Sequence, residues 1–265
     1  MLRWLRLHLQ RLGTRLVTQQ RGQTIPLEMW LRTLSDSPFL TADPINDPEQ
    51  LRAMVGDFLA NKEFSGAHGL HISDEMAVAI AAQACLPVLH LGLHWYDDFK
   101  GIVVHPGAML ARREVVDDAG VVHNYKETLS GEAMVRGPVT LSWADVAASG
   151  DSAKAGYNVV IHEFVHKLDM RSGSADGCPP LSSRVVWENW RVTMQASYAR
   201  FRTQLTMAER FGAEQPWLDA YAATAPAEFF AVTSEAYFVN RGRFAKEFPE
   251  LMPLFAQFFN ASAAP

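Results

Sequence analysis

His162 and His166 stand four residues apart with Glu163 beside the first, in the run Tyr157-Asn-Val-Val-Ile-His-Glu-Phe-Val-His-Lys-Leu-Asp169. On a helix, side chains four apart lie one above the other on the same face. Two imidazoles so placed can reach one zinc ion at about 2.0–2.1 Å each, and the Glu between them can act as general base toward an activated water. Val159, Val160 and Ile161 lead into the motif. That apolar approach reads as a buried helix and opposes a surface stripe of His and Glu.

A catalytic zinc takes three protein ligands and keeps one position open. The third ligand must come from another element. Glu228 and Glu235 lie seven apart in Ala222-Ala-Thr-Ala-Pro-Ala-Glu-Phe-Phe-Ala-Val-Thr-Ser-Glu-Ala-Tyr-Phe238. The Phe, Val and Tyr residues around them make this a buried helix, with Pro226 at its start. A buried Glu without a partner is costly, so each should be paired or bound to a cation. Glu228 is favoured as the ligand, and Glu235 stays open. Asp169 is the rival on the first helix; its cheaper role is to accept the outer N–H of a ligand histidine. Tyr221, seven residues before Glu228, could donate to the oxyanion of a tetrahedral intermediate or simply pack in its loop.

The elements that must position these groups follow a helix–strand–helix order. A short helix reads over 27–40. Asp47-Pro48 caps and opens a helix to about Phe64. A turn and a short strand read over 66–72, and Ser73 caps a helix to Ala84. Phe99 to His105 and Gly137 to Trp143 read as strands, and Glu114 to Asn124 as a hairpin turning at 117–120. Helices follow at about 154–170, 182–211, 226–240 and 246–260. Strands clustered centrally among helices indicate an α+β domain over residues 26–265 rather than repeated βαβ units. The strand at 139–143 is the expected edge for an extended peptide. The segments 106–135 and 171–182 are expected to flank the site as flaps.

Composition narrows the function. The 265-residue chain is 48% hydrophobic with a net charge of -5. It can therefore bury a large core, and it lacks the overall basic surface of a nucleic-acid binder. Its two cysteines, Cys85 and Cys178, are far apart and suit a reducing cytosol. Residues 1–25 are a basic helix or tail. Arginines interrupt each apolar run there, so no signal peptide is expected, and no stretch is long enough for a membrane span.

Four segments carry a resemblance: Cys85-Leu-Pro-Val-Leu-His-Leu-Gly-Leu-His-Trp95, Gly137-Pro-Val-Thr-Leu-Ser-Trp143, Gly156 to Asp169, and Asp219-Ala-Tyr-Ala-Ala-Thr-Ala-Pro-Ala-Glu228. Together they resemble the Mlc titration factor A family of bacterial zinc peptidases, the glucose-regulated metallopeptidases, over about residues 80–258. The N-terminal 25 residues fit poorly. The site region is also similar to the catalytic domain of anthrax lethal factor, with its H-E-F-x-H-x-x-D helix and a Tyr seven residues before a ligand Glu. The resemblance implies a zincin-like fold with a small mixed sheet and extra N-terminal helices. It implies one Zn2+ per chain on His162, His166 and Glu228, with Glu163 as base and Tyr221 as the transition-state tyrosine. It further implies a cytoplasmic, aminopeptidase-like peptidase acting on peptides and binding the glucose-responsive repressor Mlc. The alternative is a regulatory protein that sequesters a transcription factor, with zinc in a structural or control role.

Overall fold

The computed structural model describes residues 24–43, 46–116 and 122–261. The chain runs α1 (Leu27–Asp36), α2 (Pro48–Asn61), β1 (Glu63–Gly66), α3 (Asp74–Cys85), β2 (Gly101–His105), β3 (Met109–Val116), β4 (Val122–Leu129), β5 (Gly131–Ala133) and β6 (Val139–Ser142). Helices follow: α4 (Trp143–Ala147), α5 (Ser149–Ser152), α6 (Val159–Asp169), α7 (Arg184–Phe211), α8 (Pro226–Val239), α9 (Arg241–Glu247) and α10 (Leu251–Phe259). The expected caps form where their chemistry requires. Asp47 accepts from the Glu49 amide at 2.9 Å ahead of Pro48, and Ser73 accepts from the Met76 amide at 3.3 Å. This is the α+β arrangement expected.

The sheet has four strands in the order β1-β2-β6-β5. β1, β2 and β6 are parallel, and β5 closes one edge antiparallel to β6 with Gly131 opposite Leu141. β3 and β4 pair separately as a hairpin. Ile102, Val104, Val139 and Leu141 are fully buried, which gives the sheet a continuous apolar face. α6 packs between that sheet, α3 and α8. Phe164 of α6 sits in an aromatic cluster with Phe58, Tyr96 and Phe99, at ring separations of 5.8, 5.1 and 5.8 Å. A second cluster joins α7, α8 and α10 through Trp190, Phe230 and Phe255. One hydrophobic core extends from Ile25 to Phe259.

The structure revises several readings of the sequence. α2 ends at Asn61, and the strand starts at Glu63, ahead of the 66–72 segment assigned to it. Phe64 thus pairs with Ile102 in the sheet rather than closing a helix. The 139–142 strand is interior, flanked by β2 and β5, so the edge beside α6 belongs to β5. A three-residue strand between a hairpin and a turn carries too little pattern to be read from sequence. The 171–182 segment is irregular, as read, and is held at Gly177 and Cys178. Asp169 accepts from the Gly177 and Cys178 amides at 2.8 and 3.0 Å, and the Trp190 indole donates to the Gly177 carbonyl at 2.9 Å. The hairpin is longer than the 114–124 reading, and its turn at 117–120 lies outside the described residues.

Lys167 is completely buried on α6. Its ammonium donates to the Met134 and Gly137 carbonyls at 2.8 and 3.1 Å and lies 4.4 Å from the centre of the Phe99 ring. It therefore ties the β5–β6 turn to the helix. Lys167→Met keeps the hydrocarbon stem but strands two carbonyls. The expected loss is about 2–4 kcal/mol in denaturant unfolding.

Candidate metal centre

α6 starts where Gly156, at φ 81°, reverses the chain and Asn158 caps the helix by accepting from the Ile161 amide at 2.9 Å. A side chain at Gly156 would also meet the Trp217 ring at 2.9 Å, so glycine is required there on two counts. All eleven residues of α6 are buried. His162 and His166 point toward α8, their rings 4.8 Å apart. α8 begins at Pro226, which places Glu228 in its first turn.

The three expected ligands meet at one point. His162 Nε2, His166 Nε2 and Glu228 Oε2 are each 3.1 Å from the other two. A tetrahedral ion with bonds of about 2.0–2.1 Å holds its ligand atoms about 3.4 Å apart, so the triangle has the right size. Two imidazoles and one carboxylate are also a donor set that suits a catalytic zinc ion. Among the described residues this is the one group of three or more His, Cys, Asp or Glu side chains arranged to hold a metal.

Burial and mutual contact perturb the titratable groups of the cluster. Burial pushes the Glu163 carboxyl up to about 8; His162 opposes this, and Glu228 and Glu235 add to it. Burial works against charge on Glu228, but hydrogen bonds from His162 and His166 prevail and hold it well below the usual carboxylate range. Burial likewise disfavours a charged His162 ring, yet Glu235 and Glu228 outweigh it and raise the group well above an ordinary histidine. Three carboxyl groups, Glu163, Glu228 and Glu235, thus converge on two imidazoles in a largely buried site, a donor set that can receive a divalent ion.

The outer nitrogen of His162 bonds Glu235, not Asp169. His162 Nδ1 and Glu235 Oε1 are 2.8 Å apart. Asp169 is spent on the Gly177 and Cys178 amides, and burial raises its carboxyl to about 6. Glu235 therefore takes the supporting role that the sequence reading gave to Asp169. Tyr221 lies in a short turn (Ala220–Ala223), where its backbone amide donates to Asp219 Oδ1 at 2.8 Å. Its ring is 6.0 Å from that of His162.

A cavity of about 440 Å³ opens on the centre, lined by Gly131, Tyr157, Glu163, Asp219, Tyr221 and Glu235 among others. Gly131 and Tyr157 were not singled out from the sequence. Tyr157 lies in the quoted motif run but carried no spacing signal of its own. Gly131 carried none either, because β5 is too short to be read as a strand and a glycine marks a close approach only once its strand is known. A methyl group there would fall 2.5 Å from Glu163 Oε1.

The profile of the family described as Glucose-regulated metallo-peptidase M90 matches residues 10–260. The chain belongs to this metallo-peptidase family. The match begins well before the region of resemblance read from the sequence and includes part of the N-terminal segment judged a poor fit. Proteins named Mlc titration factor A are similar over most of their length. Those of Escherichia coli O7:K1 and Shigella flexneri serotype 5b are 37% identical over 231 residues, 87% of this chain and 84% of theirs. That of Escherichia fergusonii is 36% identical over 223 residues, 84% of this chain and 82% of its own. Membership in a metallo-peptidase family accounts for a cluster that would otherwise be an isolated geometric match. Among the described residues no helix is long and apolar enough to cross a membrane.

Within this metallo-peptidase, Gly131→Ala should displace the Glu163 carboxylate without touching the three clustered donors. Peptide turnover is expected to fall at least tenfold while the metal bound per chain stays at the wild-type value, measured by atomic absorption.

Proposed function

We propose that the protein is a zinc-dependent, aminopeptidase-like peptidase. One zinc ion per chain sits on His162, His166 and Glu228, within a catalytic domain spanning residues 26–265. The observation that carries this reading is the triangle of donor atoms, each side 3.1 Å, beside Glu163 in an open cavity. The continuous core from Ile25 to Phe259 supports a single catalytic domain. Residues 1–25 form a basic N-terminal extension in this reading.

A bound zinc ion supplies Lewis acidity, lowering the pKa of water toward 7 and polarising the substrate carbonyl. Glu163 lines the cavity and accepts the proton of the attacking water. Its raised proton affinity suits that uptake, and the same carboxyl then delivers the proton to the leaving amine. Tyr221 stands at the mouth on the His162 side and donates a hydrogen bond to the developing oxyanion. The outer edge of β5 offers backbone groups for an extended peptide beside Glu163.

The name of the relatives also motivates a partner. Binding of an Mlc-like, glucose-responsive repressor is the regulatory part of the proposal, and the alternative is that such sequestration is the whole function, with zinc in a structural or control role. A cytoplasmic location fits both readings, because Cys85 and Cys178 are unpaired.

Glu163→Gln separates the two. Hydrolysis of unblocked peptides is expected to fall by at least a hundredfold with zinc content and repressor binding retained; unchanged hydrolysis would remove Glu163 from the mechanism. Tyr221→Phe is expected to lower kcat about tenfold or more with full metal content. Loss of zinc in that variant would instead make the tyrosine structural.

A further inference from the structure

From His162 a line of buried polar groups runs through Glu235, at the cavity wall, to α3. Glu235 is 1% exposed, Asn158 0% and Gln83 1%. Glu235 Oε1 faces His162 Nδ1 at 2.8 Å, and Glu235 Oε2 accepts from the Asn158 backbone amide. The Asn158 side-chain amide donates to Gln83 Oε1 at 2.8 Å, and Gln83 Nε2 donates to the Ala79 carbonyl at 3.1 Å. Asn158 Oδ1 accepts from the Ile161 amide at 2.9 Å. Each of these polar side-chain atoms is therefore satisfied, in a core where an unpaired one is costly.

The backbone fixes the direction of each amide hydrogen bond in the line. The Ala79 carbonyl can only accept, so Gln83 must present its nitrogen there and its oxygen to Asn158. The Ile161 amide can only donate, so Asn158 must present its oxygen there and its nitrogen to Gln83. Both amide orientations are thereby forced from the backbone. The Asn158 backbone amide can only donate to Glu235. Glu235 then meets a second group, His162 Nδ1, with its other oxygen. A carboxylate in that place accepts a proton-bearing Nδ1 and leaves the lone pair on Nε2, the atom that faces His166 and Glu228.

We infer that Gln83, Asn158 and Glu235 are positioning residues that hold His162 as the Nδ1–H tautomer and aim its Nε2 at a metal ion. This rests on the metal-centre reading and goes beyond it: metal affinity is set in part by Gln83, a residue on α3 that touches none of the three ligands. Asn158 is the junction, because one residue caps α6, holds Glu235 and bonds Gln83. Glu235 must be a carboxylate rather than an amide. A glutamine there offers one oxygen and one N–H pair to two donors. Either the amide nitrogen opposes the Asn158 N–H, or it opposes His162 and drives the ring proton onto Nε2, which blocks coordination.

The test is the zinc dissociation constant, by competition with a chromophoric chelator, for wild type, Gln83→Met, Glu235→Gln and His162→Ala. Thermal unfolding of each zinc-free protein is followed in parallel. The expected result is weakening of about tenfold in Gln83→Met and up to about a hundredfold in the isosteric Glu235→Gln. Peptide turnover should recover in part at saturating zinc. A relay that serves folding alone would lower the zinc-free melting temperature of both variants and leave their zinc affinity at the wild-type value, and that result overturns the inference. Should Gln83→Met fail to fold, Glu235→Gln decides by the same criterion. Tight zinc binding that survives His162→Ala, or no zinc binding by wild type, overturns the metal centre and the relay together. Wild-type affinity in Gln83→Met and Glu235→Gln, with His162→Ala impaired, overturns the relay alone.

Discussion

α6 has no exposed face, yet five of its eleven buried residues are polar or charged: His162, Glu163, His166, Lys167 and Asp169. A polar group sealed in a core must find partners, and much of the surrounding structure can be understood as their supply. Lys167 draws in the β5–β6 turn, and Asp169 draws in the loop at 177–178. His162 and His166 converge on Glu228, and Glu235 backs His162. Glu163 faces the cavity. The His166 Nδ1 atom is the exception, buried without a partner. The two histidines are therefore held unequally, one by a carboxylate and the other by packing and by its neighbours in the triangle.

The opposite side of α6 makes this burial affordable. Phe164 locks into Phe58, Tyr96 and Phe99, and Val160, Ile161 and Leu168, three or four residues from it along the helix, are fully buried. Burying such side chains stabilises by about 1.5–3 kcal/mol each, which works against the cost of desolvating the polar set. A rigid apolar anchor on one side and converging donors on the other keep the donor atoms at fixed separations. Preorganisation of this kind favours a metal ion over the disordered water it displaces.

The chemistry of the centre was legible because it rests on local spacing. His162 and His166 share a helix face by sequence distance alone, and Pro226 followed by Glu228 announces a helix start with an acid in its first turn. Burial of its helix favoured Glu228 as the third ligand over Glu235 and Asp169, and the family resemblance pointed to the same residue. What escaped depends on contacts between elements. Asp169, three residues from His166, looked like the natural support for a ligand histidine, but its carboxylate faces the 177–178 amides. Glu235, 73 positions from His162, occupies that role instead. Strand order was hidden for a similar reason. β6 has a clear alternating pattern whether it lies inside or at the edge, and β5, with three residues, has almost none. Gly131 gained its meaning from the Glu163 side chain that fills the space beside it.

The central claim is that His162, His166 and Glu228 hold one ion. Crystals of the zinc-loaded protein, measured at the zinc absorption edge, test it most directly. A single anomalous peak per chain is expected about 2.0–2.2 Å from His162 Nε2, His166 Nε2 and a Glu228 oxygen, with Glu235 bonded to His162 Nδ1 and outside the coordination sphere. A peak coordinated by Glu235 or Asp169 in place of Glu228, or none at these residues, would contradict it.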